Sequence, residues 1–440
     1  MVNTDKSPTP PISEPRNSGN PSVKNKLSRS ASIPSGGWLS AQVQGFHPAS
    51  FLSAQTAKLR EITSGKKAIA AISGGVDSTV ATVLAKQALG DNLIPVLIDT
   101  GFMRLDEPEK VRAKLSSPPL GIKVRLIHAG GRFLEAVKGT FLAEEKRNKF
   151  RETFYQVLKD EAAREGCEFL VQGTIAPDWI ETQGGIKTQH NVLEQVGIDP
   201  VATYGFKVLE PLADLYKDQV RSVGRQLDLP PDLAGRQPFP GPGLLVRCIG
   251  AVTKTKLQVL KSATQLVENK LGPLSYDQYF AAVIENDFSS DPTFKALRDN
   301  SAEALGLPTN EVRTDVFEQR VTGVKGDVRS YGRLCGVKLI EESREAYGWL
   351  PDKLGRLQSA LVEKSQDLTR VAFLVKEKRG GGSLSVVIRA VTTRDFMTAA
   401  VAKVPWKVLK DIADSILDIE DVSRVYYDIT PKPPGTVEFE

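Results

Sequence analysis

The chain has 440 residues, of which 40% are apolar and 25% charged, and its formal net charge at pH 7 is +5. This length allows two or three domains, and the composition is ordinary for a globular protein. No run approaches the roughly 18–20 apolar residues that a membrane helix needs, so we expect no membrane partner. The side chains before Trp38 supply +3 of the net charge. The remainder is therefore nearly neutral, which disfavours a nucleic-acid partner.

Cysteine and histidine are scarce, with three residues of each. The cysteines are Cys167, Cys248 and Cys335. Their odd number and wide spacing predict neither a disulfide framework nor a CxxC metal site. Three histidines are also few for a zinc or iron site. We therefore expect buried free thiols and a cytoplasmic protein.

Residues 1–40 are predicted to be a disordered Ser/Pro-rich tail. They contain few large apolar side chains, so they cannot bury enough surface to offset the entropy lost on folding. A targeting segment is the alternative interpretation. The tail lacks the apolar stretch of a secretory signal, and its prolines and acidic residues disfavour an amphipathic transit helix.

Between residues 45 and 235, predicted strands and helices alternate. The predicted strands are 67–72, 92–98, 122–127 and 168–172, and the predicted helices are 54–62, 78–89, 107–115 and 141–165. Short Val/Ile/Leu strands separated by helices predict an α/β domain with a parallel sheet covered on both faces. Ligands bind such sheets at the carboxyl ends of the strands.

Residues 236–243 read Arg-Gln-Pro-Phe-Pro-Gly-Pro-Gly, which excludes regular structure and marks a domain boundary. Beyond it, predicted helices 255–270 and 405–417 and strands 383–390 and 422–429 do not alternate strictly. This pattern predicts a smaller α+β domain over 236–440. The charged stretch 337–382 resembles an insertion, and its last four residues, Arg-Gly-Gly-Gly, are predicted to form a flexible loop.

The first predicted strand runs directly into the hexapeptide Ser73, Gly74, Gly75, Val76, Asp77 and Ser78, hereafter the 73–78 loop. Backbone N–H groups at a glycine-rich turn and a helix N-terminus favour bound phosphate, and Asp77 is a candidate ligand for phosphate-bound Mg²⁺. Two glycines after a strand can also form a plain tight turn. The loop lacks the Gly-Lys-Ser/Thr ending of a Walker A motif and resembles the pyrophosphate loop of ATP pyrophosphatases.

Further motifs point in the same direction. They are Gln172-Gly-Thr, Ile186-Lys-Thr-Gln-His-Asn191, Glu210-Pro-Leu212, Lys217-Asp218, the 236–244 segment, Gly326-Asp-Val-Arg-Ser-Tyr331, Asp395-Phe-Met-Thr398 and the 432–440 segment Lys-Pro-Pro-Gly-Thr-Val-Glu-Phe-Glu. Together they resemble the synthetase part of GMP synthase from about residue 50 onward. The resemblance is weakest over 251–320 and 337–382.

This resemblance implies an ATP-pyrophosphatase domain of the adenine nucleotide alpha hydrolase type, followed by a dimerisation-type domain. It also implies a reaction in which XMP and ATP form adenylyl-XMP with release of pyrophosphate, and ammonia then displaces AMP to give GMP. The usual single-chain enzyme carries an N-terminal glutaminase with a Cys–His–Glu triad, whereas here the first cysteine is Cys167, inside the synthetase part. We therefore expect ammonia from a separate glutamine amidotransferase subunit or from free ammonium.

The resemblance also implies roles for individual residues. ATP contacts are expected from the 73–78 loop, Asp99 and Gly173, and XMP contacts from Arg104, Lys432 and Glu438. Lys187 and His190 fall in a stretch that is a mobile catalytic lid in the family.

The sequence departs from the family at three positions. Gln189 stands where the lid usually has a first histidine, Phe439 stands where bacterial members have Trp, and Ala251 replaces a frequent acid.

Three alternatives stay open at this point. NAD synthetases and tRNA-thiolating enzymes share the pyrophosphate loop. An assignment as an NAD synthetase would not explain the long segment after Gly250. A tRNA-thiolating enzyme would need a catalytic cysteine pair and a strongly basic face, and neither is evident in this sequence. A nucleotide-binding regulatory paralogue is the non-enzymatic alternative, and Gln189 is the observation in its favour.

Overall fold

The computed structural model describes residues 45–178, 198–230, 237, 239–325, 328–340, 351–393, 398–436 and 438–440. The predicted tail 1–40 and the predicted lid residues Lys187, Gln189 and His190 lie outside these ranges. Residues Phe46–Glu440 form one compact unit. Within the described ranges, no helix combines the length and apolar character needed to cross a membrane.

A parallel sheet forms the first part of this unit. Its strands are β1 (Lys67–Ile72), β2 (Leu93–Asp99), β3 (Arg125–His128), β4 (Cys167–Val171) and β5 (Lys207–Leu209), in the order β3-β2-β1-β4-β5. The associated helices are α1 (Pro48–Thr63), α2 (Val76–Leu89), α3 (Glu107–Ser116), α4 (Gly130–Ala136), α5 (Ala143–Glu165), α6 (Pro200–Tyr204) and α7 (Lys217–Gln226). The predicted parallel-sheet α/β fold is confirmed.

Both faces of this sheet are buried, which explains the short apolar strands. Ile69 of β1 packs in the same core as Phe150 of α5, whereas its neighbour Ala70 packs in a second core with Val80 of α2. Successive side chains of a strand point to opposite faces, so an uninterrupted apolar run fits a strand that helices cover on both sides. Strands β2 and β3 lie on one side of β1, whereas β4 and β5 lie on the other side. This change in strand order between β1 and β4 makes a crevice at their carboxyl ends.

A mixed sheet forms the second part. Its strands are β6 (Gln278–Glu285), β7 (Val312–Lys325), β8 (Val328–Leu339), β9 (Leu368–Glu377), β10 (Leu384–Thr392), β11 (Ala400–Val401) and β12 (Val422–Asp428). The order is β11-β10-β12-β9-β8-β7, with β6 also paired to β10. The accompanying helices are α8 (Lys254–Leu271), α9 (Ala296–Leu305), α10 (Pro351–Lys364) and α11 (Trp406–Leu417).

Three details differ from the predictions. β3 begins at Arg125 rather than at 122, because the N–H of Ile122 instead bonds the carbonyl of Leu115 and closes the turn after α3. The short helix α4 was not predicted. Strand β9, within the 337–382 stretch, was not predicted either; it lies between β8 and β12 with mostly buried side chains. Whether this stretch is an insertion relative to shorter family members stays a prediction.

One apolar core runs across the predicted domain boundary. Phe102 and Phe150 from the first part pack in the same cluster as Leu244, Leu245 and Cys248 from the second. The division into one domain over 45–235 and a second over 236–440 therefore stays a prediction. The three cysteines are free and buried, as the sequence analysis expected.

Candidate active site

The 73–78 loop joins β1 to α2 and is closed by two serine hydroxyls. The N–H of Ser73 donates to Ser78 Oγ at 3.1 Å, and the two serine Oγ atoms are 2.9 Å apart. Gly74 has a φ of 81°, a left-handed conformation that favours glycine. Ser73 and Gly75 are exposed. The loop thus presents hydroxyls and the N-terminus of a 14-residue helix to solvent, an arrangement suited to phosphate.

Gly173, at the carboxyl end of β4, lies directly against this loop. A Cβ atom at Gly173 would lie 2.5 Å from Ser78 N, 2.6 Å from Asp77 C and 2.7 Å from Ser78 Cα. All three contacts are to backbone, which cannot move aside as a flexible side chain can. Glycine is therefore required here because the two strand ends meet across the crevice.

Asp77 lies in the first turn of α2 and contacts α7. Its Oδ2 accepts a hydrogen bond from Lys217 Nζ at 2.5 Å. Its Oδ1 is buried and has no hydrogen-bond partner among the described residues. An unsatisfied carboxylate oxygen next to a phosphate-type loop has the chemistry of a Mg²⁺ ligand. The described ranges contain no group of three or more His, Cys, Asp or Glu side chains placed to hold a metal by themselves.

Asp99 ends β2, the strand adjacent to β1. Its Oδ1 accepts a hydrogen bond from the N–H of Gly101 at 2.9 Å, and its Oδ2 lies 3.5 Å from Nδ1 of His128. The β2–β3 register pairs Asp99 with His128, so both side chains sit at the carboxyl edge of the sheet. The structure therefore brings the 73–78 loop, Asp99 and Gly173 to one edge, as the sequence analysis expected.

Arg104 follows β2 and is held by carboxylates. Its Nε donates to Glu268 of α8 at 2.8 Å, and its Nη1 donates to Glu107 at 3.1 Å. Its guanidinium carbon lies 4.0 Å from the centre of the Phe239 ring. Burial opposes the charge, but the two carboxylates more than offset it and raise the pKa of Arg104.

Arg247 continues this stack of rings and guanidinium groups. Its guanidinium carbon lies 5.0 Å from the centre of the Phe239 ring and 4.0 Å from that of Phe280. Its Nε and Nη1 have no hydrogen-bond partner within the described part of the chain. Burial, aided by the like charge of Arg104, lowers the pKa of Arg247 below the usual arginine range. The sequence analysis did not single out this residue, since an arginine after an apolar run carries no motif.

Lys432 and Glu438, which both belong to the C-terminal segment, contact different parts of the structure. The main chain of Lys432 pairs with that of Ala399 beside β11. The carboxylate of Glu438 accepts a hydrogen bond from Arg147 Nη2 at 2.5 Å and lies 3.6 Å from Arg329 Nη2. Lys187 and His190 lie outside the described residues, so their predicted role in a lid stays a prediction.

Sequence reasoning missed two contacts that the fold creates. Lys217 was noted only as part of the Lys217-Asp218 motif, and nothing in that motif indicates a contact with the 73–78 loop. Arg147 carried no signal at all, because it lies in a charged helix and is 291 residues from Glu438 in sequence. Contacts at such separations depend on tertiary structure.

Two family models and several known proteins match this chain in sequence. Residues 374–439 match the family described as GMP synthase C terminal domain, and residues 51–154 match NAD synthase. The chain is 45% identical over 397 residues to a protein of Sulfurisphaera tokodaii named as a subunit of GMP synthase (glutamine-hydrolyzing), and the match covers 90% of this chain and all of that protein. An identically named protein of Methanopyrus kandleri is 37% identical over 401 residues, with the same coverage.

Among solved structures, the match to the NMN synthetase from Francisella tularensis covers 45% of this chain and 78% of the synthetase chain, with a TM-score of 0.36 and 18% identity. The family assignment rests on the curated relatives, which are similar over nine tenths of the chain and over their own full length. The chain therefore belongs to the family of these separate GMP synthase (glutamine-hydrolyzing) subunits.

Proposed function

We infer that this chain aminates XMP to GMP, with ATP converted to AMP and pyrophosphate through an adenylyl-XMP intermediate. The observation that carries this inference is the 73–78 loop at the carboxyl end of β1, in which Ser73 and Gly75 are exposed. It occurs in a chain that matches GMP synthase subunits over their full length. NAD synthetase, the nearest alternative, does not account for the match of residues 374–439 to the GMP synthase C terminal domain.

The proposed reaction needs two successive displacements. The C2 oxygen of XMP attacks the α-phosphorus of ATP, the bond to the bridging oxygen breaks, and pyrophosphate leaves. Ammonia then adds to C2, and the same oxygen departs with AMP while a proton passes to solvent. Adenylylation is required because the C2 oxygen alone is a poor leaving group. The protein contributes chiefly by positioning both nucleotides and by stabilising charge at phosphorus.

ATP is proposed to bind with its β- and γ-phosphates on the 73–78 loop. The exposed hydroxyl of Ser73 and the N-terminus of α2 support this placement. Mg²⁺ would be held by Asp77, whose Oδ1 has no partner among the described residues, together with phosphate oxygens. The ion would supply charge neutralisation at the phosphates. Asp99 and Gly173, at the same edge, are proposed to border the rest of the nucleotide.

XMP is proposed to contact Arg104, Lys432 and Glu438. A lysine suits the phosphate of the nucleotide. A carboxylate accepts hydrogen bonds and therefore suits an N–H or hydroxyl group of the same molecule. Lys187 and His190 are proposed to close over the reactive intermediate and exclude water.

Ammonia is proposed to come from a separate glutaminase subunit. The support is that the curated relatives are each named as one subunit of a glutamine-hydrolyzing enzyme, and this chain covers their whole length. Adding a purified glutaminase subunit should allow glutamine to replace ammonium, whereas the chain alone should use ammonium only. A homodimer through residues 236–440 stays a prediction that sedimentation equilibrium would test.

One assay tests the proposal directly. The purified chain is incubated with XMP, ATP, Mg²⁺ and ammonium chloride, and GMP, AMP and pyrophosphate are measured. We expect the three products in equal amounts. Absence of pyrophosphate at every ammonium concentration would contradict the enzymatic assignment and favour a regulatory nucleotide-binding protein.

A further inference from the structure

Two consecutive basic residues of α5 hold the 438–440 segment, which is remote in sequence. Lys146 is fully buried, donates to the carbonyl of Cys248 at 2.9 Å and pairs with the buried carboxylate of Glu440. Arg147 donates through Nη2 to Glu438 Oε2 at 2.5 Å and to the main-chain oxygen of Glu440. Helix α5, which packs on the first sheet, therefore fixes the backbone of Glu440 and the side chains of Glu438 and Glu440.

The hydrogen bonds of Glu438 leave part of its carboxylate available. Arg147 bonds Oε2, and Arg329 approaches the same oxygen at 3.6 Å. No hydrogen bond joins Oε1 to a described residue. The side chain of Glu438 is 23% exposed and that of Arg147 is 9% exposed. Solvent can therefore reach Glu438, whereas Arg147 is largely covered.

The backbone of Glu438 is fixed by a residue of the second sheet. Its carbonyl accepts a hydrogen bond from Arg370 Nη2 at 2.6 Å, and the Arg370 guanidinium carbon lies 4.3 Å from the centre of the Phe439 ring. Arg370 belongs to β9 of the second sheet. With the main chain held by Arg370, the Glu438 carboxylate is directed by its hydrogen bond to Arg147, and Arg329 lies farther from the same oxygen.

The same helix also reaches the ATP edge. The hydroxyl of Tyr155 on α5 accepts a hydrogen bond from Gln172 Nε2 at 2.6 Å, and Gln172 precedes the glycine that packs on the 73–78 loop. Tyr155 is buried. Helix α5 is thus tied to both proposed nucleotide sites through separate residues, and we expect a change at Arg147 to act mainly at the Glu438 end.

We propose that Arg147 is a positioning residue for XMP. It holds Glu438 through one carboxylate oxygen and thereby directs the other toward a hydrogen-bond donor of the nucleotide, without touching the nucleotide itself. This inference rests on the proposed function, in which Glu438 contacts XMP. It assigns specificity for XMP to a residue of the ATP-binding half of the chain.

The test measures steady-state kinetics with ammonium for the wild type and for Arg147→Met, Arg147→Lys, Glu438→Gln and the Met/Gln double variant. We expect Arg147→Met to raise KM for XMP by roughly tenfold, the effect of one strong hydrogen bond. Its kcat and its KM for ATP should stay within about twofold of wild type if ATP binding is independent. Arg147→Lys should restore part of the XMP affinity, because an ammonium group can still pair with one oxygen.

The double variant decides whether Arg147 acts through Glu438. If it does, the double variant binds XMP no worse than Glu438→Gln alone. If the increases in KM for XMP of the two single variants multiply in the double variant, Arg147 contacts XMP itself. If Arg147→Met raises KM for ATP as much as KM for XMP, the defect is a general structural one. Either result overturns the inference. Arg164→Met is the matched control, since Arg164 is an exposed residue of α5 paired with Glu161.

Failure of the inference is distinguishable from failure of the proposed function. An inactive wild type with well-folded protein would reject the function. An active wild type whose Arg147→Lys and Arg147→Met variants keep the wild-type KM for XMP would reject the inference alone. If Arg147→Met does not fold, the Arg147→Lys variant and its double with Glu438→Gln give the same comparison.

Discussion

Lys217 Nζ lies 2.5 Å from Asp77 Oδ2, so the amino-terminal residue of α7 neutralises the carboxylate in the first turn of α2. The second oxygen of Asp77 has no hydrogen-bond partner among the described residues. One oxygen of this carboxylate thus pairs with a cation, and the other is the oxygen proposed to bind Mg²⁺. This pair lies beside Gly173, where only a glycine allows β4 to approach the 73–78 loop.

Replacement of Asp77 by alanine should abolish AMP formation while the fold is kept. The variant removes the proposed Mg²⁺ ligand, and we expect a loss of about 100-fold or more in kcat, since metal-bound phosphate charge is no longer fixed. Urea denaturation should give a near-wild-type midpoint. Asp218→Ala, which removes the neighbouring exposed carboxylate of α7, should keep full activity. Retained activity in Asp77→Ala would show that the metal contact is misassigned.

Replacement of Lys217 by methionine should impair ATP use more than XMP use. The change removes a cation next to the proposed phosphate site while keeping the aliphatic stem. We expect kcat/KM for ATP to fall roughly 10–100-fold, as for a lost charge-assisted hydrogen bond. Lys217→Arg should retain part of this activity. An unchanged KM for ATP together with an unchanged kcat would mean that Lys217 only pairs with Asp77.

Replacement of Gly173 by alanine should displace the 73–78 loop. The added Cβ would lie 2.5 Å from Ser78 N, so the loop backbone has to shift. We expect kcat/KM for ATP to fall roughly 100-fold from this small displacement and stability to fall by about 1–3 kcal/mol. Gly355→Ala in α10 is the control, because its Cβ would meet no atom of the described residues within 4 Å. Similar activities for the two variants would contradict the tight contact.

Replacement of Asp428 by asparagine should destabilise the second sheet. Asp428 is fully buried and accepts hydrogen bonds from Arg370 at 2.8 Å and from Arg389 at 2.7 Å. Removing its charge leaves two buried arginines without a carboxylate counter-charge, at an expected cost of about 3–5 kcal/mol in the free energy of unfolding. Asp414→Asn, which breaks an exposed pair with Lys376, should cost less than about 1 kcal/mol.

The effect of Asp428→Asn should depend on pH in a defined direction. Burial alone would raise the pKa of Asp428, but Arg389 and Arg370 more than offset it and hold the pKa below its usual range. The folded state therefore binds the proton more weakly than the unfolded state. The stabilisation is complete above the unfolded value of about 3.9 and is lost as the pH falls through the lower folded value. Urea titrations should show the wild-type advantage shrinking below about pH 4; an advantage constant with pH would contradict this.

The sequence alone determined the features that depend on local patterns. Short apolar strands predict the parallel sheet because both faces are covered, and the 73–78 hexapeptide predicts a phosphate-type loop because glycines and a helix N-terminus expose N–H groups. Asp77, Asp99 and Gly173 could be foreseen at one edge because parallel strands end on the same side of a sheet.

Tertiary structure decided the pairings between distant residues. No local pattern predicts that Lys217 contacts Asp77, that Arg147 holds Glu438, or that Glu268 binds Arg104. Each pair joins side chains at least 140 residues apart, and their approach depends on how helices α5, α7 and α8 pack. The sequence identified the groups that carry the chemistry, whereas only the packed fold determined which charges they meet.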